Sequence, residues 1–176
     1  MSLPMTPGTY AIDQVHSQLG FAVKHLDISL VHGTFDRFSG ALVVGASLAE
    51  TMVTIDAEMD SINTGHPGRD DHVKNADFLD VTNHPKLSFR STAITEKGNG
   101  YAMTGDLTIK GLTHPVTLDV SYNGSAVFPP DKSTHFGFAA LGTISRSAFG
   151  VSMGVPLVSD EVDLRFDVQF VLPPQG

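Results

Sequence analysis

The stretch VDLRFDVQF, Val162–Phe170, decides the fold class of this chain. Every second residue is large and apolar, and the residues between them are charged or carry an amide. Successive side chains of a β-strand point to opposite faces, so a strand of this pattern buries one face and leaves the other in water. The stretch therefore predicts one strand of a half-buried sheet.

The same alternation recurs along most of the chain, between turn-forming residues. Gly98-Asn99-Gly100 separates two alternating runs and predicts a hairpin with residues at positive φ. We predict an all-β fold, a single antiparallel β-barrel domain of about eight strands over residues 1–176, with a two-sheet sandwich as the alternative. A barrel of this size is either filled by side chains or holds one small ligand, as lipocalins do.

One polar segment, Thr64–Pro85, interrupts the alternation. Thr64 or Asn63 is placed to cap a short helix with Pro67 in its first turn. A connection of about 20 residues inside a compact domain usually has a function, such as a lid. This segment is therefore the first place to expect a binding site.

Charge and composition exclude several classes of partner. The formal net charge is -8, and the few basic residues are scattered, which argues against nucleic acid and against anionic membrane surfaces. No segment approaches the ~18 consecutive apolar residues of a membrane span, so stable membrane insertion is not expected. Residues 1–10 lack the pattern of a secretory signal. The sequence as given predicts a cytoplasmic location, or a periplasmic or secreted one if a leader has been removed.

Motifs for catalysis and metal binding are weak. The chain has no Cys and no paired metal-ligand spacing among its eight His, so we predict no metal site and no cofactor. A site assembled from His66 and His72 with Asp70 or Asp71 is the alternative. Gly150–Gly154 matches the serine nucleophile elbow, but no His follows that serine in the chain, so we predict no catalytic residues.

Several blocks of sequence, taken together and in order, resemble the YceI-like family. They are Asp13–Ser17 followed by Phe21, Val23 and His25; Gly33–Phe35 with Phe38–Gly40; Arg69–Val73 with Asp77–Asp80; His84–Phe89; Gly105–Thr113; Ile144–Gly150; and Asp160–Val162. Val73, Leu79 and Ala148 depart from the family pattern. The resemblance covers the chain from about Tyr10 to Phe170.

The resemblance implies a lipocalin-like barrel that binds an isoprenoid lipid, such as a polyprenyl phosphate or an isoprenoid quinone, for carriage, storage or sequestration and without catalysis. The inward apolar residues would then contact the lipid tail: Phe21, Val23, Phe35, Phe38, Phe89, Met103, Phe136, Phe138 and Phe166. Arg69, with His72 next, is the candidate to meet the head group. The other interpretation of Arg69 is that it pairs with Asp70, Asp77 or Asp80 and only fixes the connection to the barrel.

Three alternatives stay open at this point. One is an enzyme acting on an isoprenoid, with His72 or Asp70 as acid or base. Another is a structural or stress-response protein whose barrel is filled and holds no ligand. A homodimer is also compatible with the sequence. A continuous apolar tunnel through the interior would favour the lipid-binding interpretation over the filled barrel.

Overall fold

The computed structural model describes residues 3–172, so the ends of the predicted domain, residues 1–2 and 173–176, lie outside the described residues. Within 3–172 the chain forms eleven β-strands and one α-helix, α1 (Pro67–Lys74). The strands are β1 (Gly8–Ile12), β2 (Gln18–His25), β3 (Ser29–Phe35), β4 (Phe38–Val44), β5 (Met52–Glu58), β6 (Ile62–Asn63), β7 (Lys86–Lys97), β8 (Gly100–Ile109), β9 (Leu112–Val127), β10 (Thr134–Ser145) and β11 (Val158–Leu172).

Eight of these strands close into an antiparallel barrel. Their order is β1-β4-β5-β7-β8-β9-β10-β11, and β1 pairs with β11 to complete the ring. The predicted eight-stranded barrel with one helical connection is therefore confirmed, and the sandwich alternative is wrong because one sheet closes on itself. The other strands, β2, β3 and β6, continue from the edge of β11.

Strand β11 pairs with two different strands along one of its edges. The segment from Val158 to Asp167 pairs with β2. Further along, Phe170 and Val171 pair with Ile12 and Ala11 of β1. Its other edge pairs with β10 along nearly the whole strand. The long alternating stretch of sequence thus holds both the ring and its extension.

The predicted hairpin is present between β7 and β8. Lys97 and Gly100 are cross-strand partners, so Gly98 and Asn99 form a two-residue loop. Gly98 has a φ of 58°. This left-handed conformation at the first loop position suits the twist of the two strands, and glycine adopts it without a steric penalty.

The predicted short helix is also present, but the predicted cap is wrong. His66 caps α1, and its Nδ1 accepts a hydrogen bond from the backbone N–H of Arg69 at 3.2 Å. Thr64 has a different role, because its backbone N–H donates to Asp70 Oδ1 at 2.8 Å. Pro67 stands in the first turn, where its missing N–H costs nothing. No helix between residues 3 and 172 is long and apolar enough to cross a membrane.

Buried apolar side chains pack together around Tyr10 in the barrel interior. Tyr10 is fully buried, and its ring packs edge-on against Phe136 with the centroids 5.4 Å apart. The Tyr10 hydroxyl donates to the Thr6 carbonyl at 2.7 Å, so this buried polar group is satisfied. Phe38 and Val44 of β4 are buried in the same core.

A hydrogen-bonded cluster reinforces the short seam between β1 and β11. Asp13 follows β1, and its Oδ2 lies 2.7 Å from His16 Nδ1. The N–H of Gln169 on β11 donates to Ser17 Oγ at 2.9 Å, and Gln169 Oε1 lies 2.9 Å from His135 Nδ1. The seam therefore depends on side chains from the β1–β2 loop and β10 as well as on two backbone pairs.

Asp13 should make the stability of this seam depend on pH. Partial burial tends to raise the pKa of Asp13, but hydrogen bonds from His16 and from the N–H groups of Val15 and His16 outweigh it, and the pKa lies below its usual value. A lowered pKa stabilises the folded state above the unfolded pKa of about 3.9, and this contribution is lost as the pH falls through the folded pKa.

We therefore predict that Asp13→Asn lowers the free energy of unfolding by about 1–3 kcal/mol near neutral pH. The difference from wild type should shrink in acid, where wild-type Asp13 is itself protonated. Urea unfolding at several pH values measures this. Asp106→Asn, at an exposed carboxylate of β8, is the control. An equal loss at every pH would contradict the prediction.

Candidate binding cavity

A cavity of about 860 Å³ runs through the interior of the barrel. This volume lies near the upper end of the ~300–1,000 Å³ typical of small-molecule sites. Its lining is overwhelmingly apolar and comes from nearly every long strand. The interior is therefore not filled by side chains, as the filled-barrel alternative requires.

The alternation that predicts the strands also builds the lining. On β11 the side chains of Leu164, Phe166, Val168 and Phe170 line the cavity. Arg165 lies between them on the outer face, where its Nε donates to Asp167 at 3.0 Å. One face of the strand thus meets the cavity and the other meets water, as the pattern of the sequence indicates.

Seven of the nine residues predicted to contact a lipid tail line the cavity: Phe21, Val23, Phe35, Phe89, Met103, Phe138 and Phe166. The other two, Phe38 and Phe136, are buried but do not line the cavity, and the Phe136 ring packs against Tyr10. Alternation identifies the inward face of a strand. It carries no information on where along the barrel the hollow ends and packed side chains begin.

Glycines on neighbouring strands let large rings lie flat against the barrel wall. Gly33 is the cross-strand partner of Phe21, and a Cβ built at Gly33 would overlap the Phe21 ring. A Cβ at Gly105 would likewise overlap the ring of Phe89. Because these rings occupy the space above a glycine, they line the cavity without filling it.

Four segments meet at one end of the cavity, which we call the mouth. The N–H of Leu26, in the β2–β3 turn, donates to the Leu157 carbonyl in the loop before β11 at 2.7 Å. Lys110, in the β8–β9 turn, donates to Gly150 of that loop at 3.4 Å and to Ala76 of the Thr64–Pro85 connection at 3.2 Å. These contacts join the segments into one rim.

Arg69 lines the cavity from the Thr64–Pro85 connection. Its Nε donates to Thr64 Oγ1 and its Nη2 donates to the Thr64 carbonyl, both at 2.7 Å. Within residues 3–172 Arg69 forms no ion pair with a carboxylate, so the predicted pairing with Asp70, Asp77 or Asp80 is not observed. The guanidinium is held in place by neutral oxygens.

His72 lies one turn further along α1 and also lines the cavity. Its ring packs edge-on against Phe78, with the centroids 5.0 Å apart. The structure therefore brings both predicted head-group residues to the cavity. Whether they contact a ligand stays a prediction.

The sequence did not single out a further basic residue of the lining, Arg146. It follows β10, is 8% exposed and lines the cavity. Its guanidinium donates to four backbone carbonyls at 2.8–2.9 Å, those of Val151, Met153, Val158 and Ser159. Burial lowers its pKa, against the opposing field of Asp160. Its position in the resembling block Ile144–Gly150 was the only signal that could have singled it out.

The histidines and acids of the connection do not converge. Throughout the described part of the chain, no group of three or more His, Cys, Asp or Glu is arranged to hold a metal ion. His66 Nδ1 is used in the cap of α1, and Asp70 accepts from Thr64. The alternative metal site at these residues therefore has no geometric support.

Comparison with known proteins finds a family profile and a relative that each match nearly the whole chain. The YceI-like domain profile matches residues 10–170. A UPF0312 protein of Staphylococcus aureus is 36% identical over 162 residues, covering 92% of this chain and 92% of the relative.

Two solved structures share the fold. Burkholderia cenocepacia BcnA superimposes with a TM-score of 0.80 at 28% identity, covering 90% of this chain and 98% of that one. A polyisoprenoid binding domain from Saccharophagus degradans superimposes with a TM-score of 0.65 at 16% identity, covering 94% of this chain and 98% of that one. The second likeness concerns the fold alone.

The space left by Gly33 beside the Phe21 ring predicts that a side chain at position 33 narrows the cavity. Gly33→Ala should push the Phe21 ring into the hollow and lower the affinity for an apolar fluorescent dye at least about fivefold, because overpacking costs about 1–3 kcal/mol. Dye titration measures this. Gly137→Ala is the matched control, because a Cβ there comes no nearer than 3.6 Å to Asn123. Equal dye binding by both variants and wild type would show that Phe21 does not limit the hollow.

Proposed function

The chain belongs to the YceI-like family, and on that premise we propose that it binds an isoprenoid lipid, with the tail inside the barrel and the head group at the mouth. The observation that carries the proposal is the apolar cavity of about 860 Å³. A long apolar tail gains by leaving water, at about 0.8 kcal/mol per buried methylene group. The role would be carriage, storage or sequestration of the lipid.

The size of the cavity sets an expected tail length. A methylene group is about the size of a water molecule, which takes up about 30 Å³ in the liquid, so the cavity has room for roughly 25–30 carbons, or about five or six isoprene units. Complete burial of such a tail would contribute about 20 kcal/mol, close to the ceiling of non-covalent affinity. Ordering of the tail and of the mouth offsets part of this gain.

The basic residues of the lining support a head group at the mouth. Among the described residues that line the cavity there is no Asp or Glu, whereas Arg69, His72 and Arg146 all belong to it. An Arg guanidinium presents several donors in a planar fork, which suits a phosphate or a carbonyl oxygen. Because Arg69 and Arg146 already donate to neutral oxygens, we expect modest selectivity among head groups.

We expect binding without turnover. A general acid at neutral pH needs a raised pKa. Partial burial tends to raise the pKa of Asp70, but hydrogen bonds from Thr64, with Lys74 and Arg69 nearby, outweigh it and leave the pKa below its usual value. Asp70 is also not part of the cavity lining. These features support a binding protein over an enzyme that uses Asp70 as its acid.

The ligand class follows by analogy. The Saccharophagus degradans protein that shares the fold is a polyisoprenoid binding domain. Native mass spectrometry of this protein, before and after extraction with organic solvent, tests the proposal. A mass shift that disappears on extraction and returns on adding a polyprenol supports it. A protein that neither carries nor takes up a prenol of any length would contradict it.

The dependence of affinity on tail length tests whether the cavity encloses the tail. We predict that affinity for a series of prenols rises with each isoprene unit up to about six and then changes little, because further units no longer fit inside. Competition against a fluorescent prenol measures the series. An affinity independent of length would mean that the tail is not enclosed.

A pair of variants separates the contributions of tail and head. Phe166→Asp places a carboxylate in the apolar lining and should reduce prenol uptake more than Arg69→Gln does, because burying an unpaired charge costs several kcal/mol. Leu141→Asp, at an outward position of β10 that is 53% exposed, is the control. Circular dichroism verifies that all three variants fold. A larger loss of prenol uptake in Arg69→Gln than in Phe166→Asp would mean that the head group dominates binding.

A further inference from the structure

Two of the segments that form the mouth carry large apolar side chains that face water. Ile28 in the β2–β3 turn is 82% exposed, and Leu157 in the loop before β11 is 61% exposed. Leu26, Met153 and Val155 on the same two segments are also exposed. We call these five residues the apolar lip. Scattered apolar residues on a surface need no explanation, but a contiguous patch usually marks an interaction site.

The lip is continuous with the interior of the barrel. Its two segments are joined by the hydrogen bond from the Leu26 N–H to the Leu157 carbonyl at 2.7 Å. Met153 and Leu157 belong to the lip and also line the cavity. Apolar surface therefore extends from inside the cavity to the outside of the molecule.

Leu26, in the β2–β3 turn, has a backbone conformation that leucine rarely adopts. Leu26 and Asp27 have φ values of 53° and 56°. Glycine, asparagine and aspartate adopt this left-handed conformation at low cost, whereas a bulky apolar residue rarely does. Leu26 is therefore strained as well as exposed, and backbone strain of this kind clusters at functional sites.

The charge of the lip favours a neutral partner. Residues 26–28 and 152–157 include one charged residue, Asp27, and the whole chain carries a formal charge of -8. A negatively charged protein is repelled by an anionic lipid surface, but apolar side chains enter a zwitterionic interface without that penalty. An isoprenoid lipid resides in a bilayer, so the surface around the cavity opening must meet one if transfer avoids water.

We propose that the apolar lip docks transiently on the surface of a zwitterionic bilayer and passes the isoprenoid ligand directly between bilayer and cavity. This inference rests on the proposed function. Insertion of Leu26 and Ile28 into the interface would place the mouth against the acyl chains. The tail would then move from one apolar environment to the other without crossing water.

The test is transfer of a fluorescent prenol between phosphatidylcholine vesicles, compared with uptake of the same prenol from detergent micelles. The test variant is Leu26→Asp with Ile28→Asp. Neither residue lines the cavity, and aspartate suits the left-handed conformation at position 26. Leu141→Asp with Met52→Asp is the matched control, because both residues are exposed on the barrel wall, away from the mouth.

We expect wild type and control to accelerate transfer equally, and the lip variant to slow it at least about tenfold with unchanged uptake from micelles. Equal transfer by all three proteins would overturn the inference. A wild type that takes up prenol from micelles but does not accelerate transfer would overturn it and leave the proposed function standing. Failure of uptake from micelles would overturn the proposed function itself. Sedimentation showing a wild-type dimer that the lip variant breaks would assign the lip to a second copy instead.

Discussion

The fold depends on one strand that must satisfy two partners along the same edge. β11 pairs with β2 over the part that begins at Val158 and with β1 near Phe170. Closure of the ring rests on the second, much shorter pairing, which hydrogen bonds among half-buried and exposed side chains around Asp13 and Gln169 extend. The first pairing carries the β2–β3 extension, which supplies part of the lining and one side of the mouth. Both the hollow and its opening are therefore consequences of how β11 is shared.

The sequence predicts the strands of the barrel and their inward faces better than it predicts which inward residues line the cavity. Alternation along stretches such as Val162–Phe170 identifies strands and their inward faces, since the period of a strand is fixed by its geometry. Phe21 and Phe138 line the cavity, whereas Phe38 and Phe136 are buried outside it. Alternation does not separate these two cases, because inward positions share one pattern whether they meet a cavity or packed side chains.

Local chemistry at the mouth was harder to predict for a different reason. His66 caps α1 instead of Thr64, because the Thr64 side chain is hydrogen-bonded to the side chains of Arg69 and Asp70. Arg146 has no signature in the sequence, because its partners are backbone carbonyls of a later loop, which leave no pattern of charged residues. Contacts between distant segments decide such details, and periodicity does not report them.

The glycines that make room for aromatic rings have a consequence for how the width of such a cavity can change. Gly33 and Gly105 are not themselves part of the lining, yet the rings of Phe21 and Phe89 lie where a Cβ at these glycines would have been. The width of the cavity is thus set partly by residues that do not line it. A lineage of such proteins can widen or narrow its interior by single exchanges in the wall and keep every contacting residue unchanged.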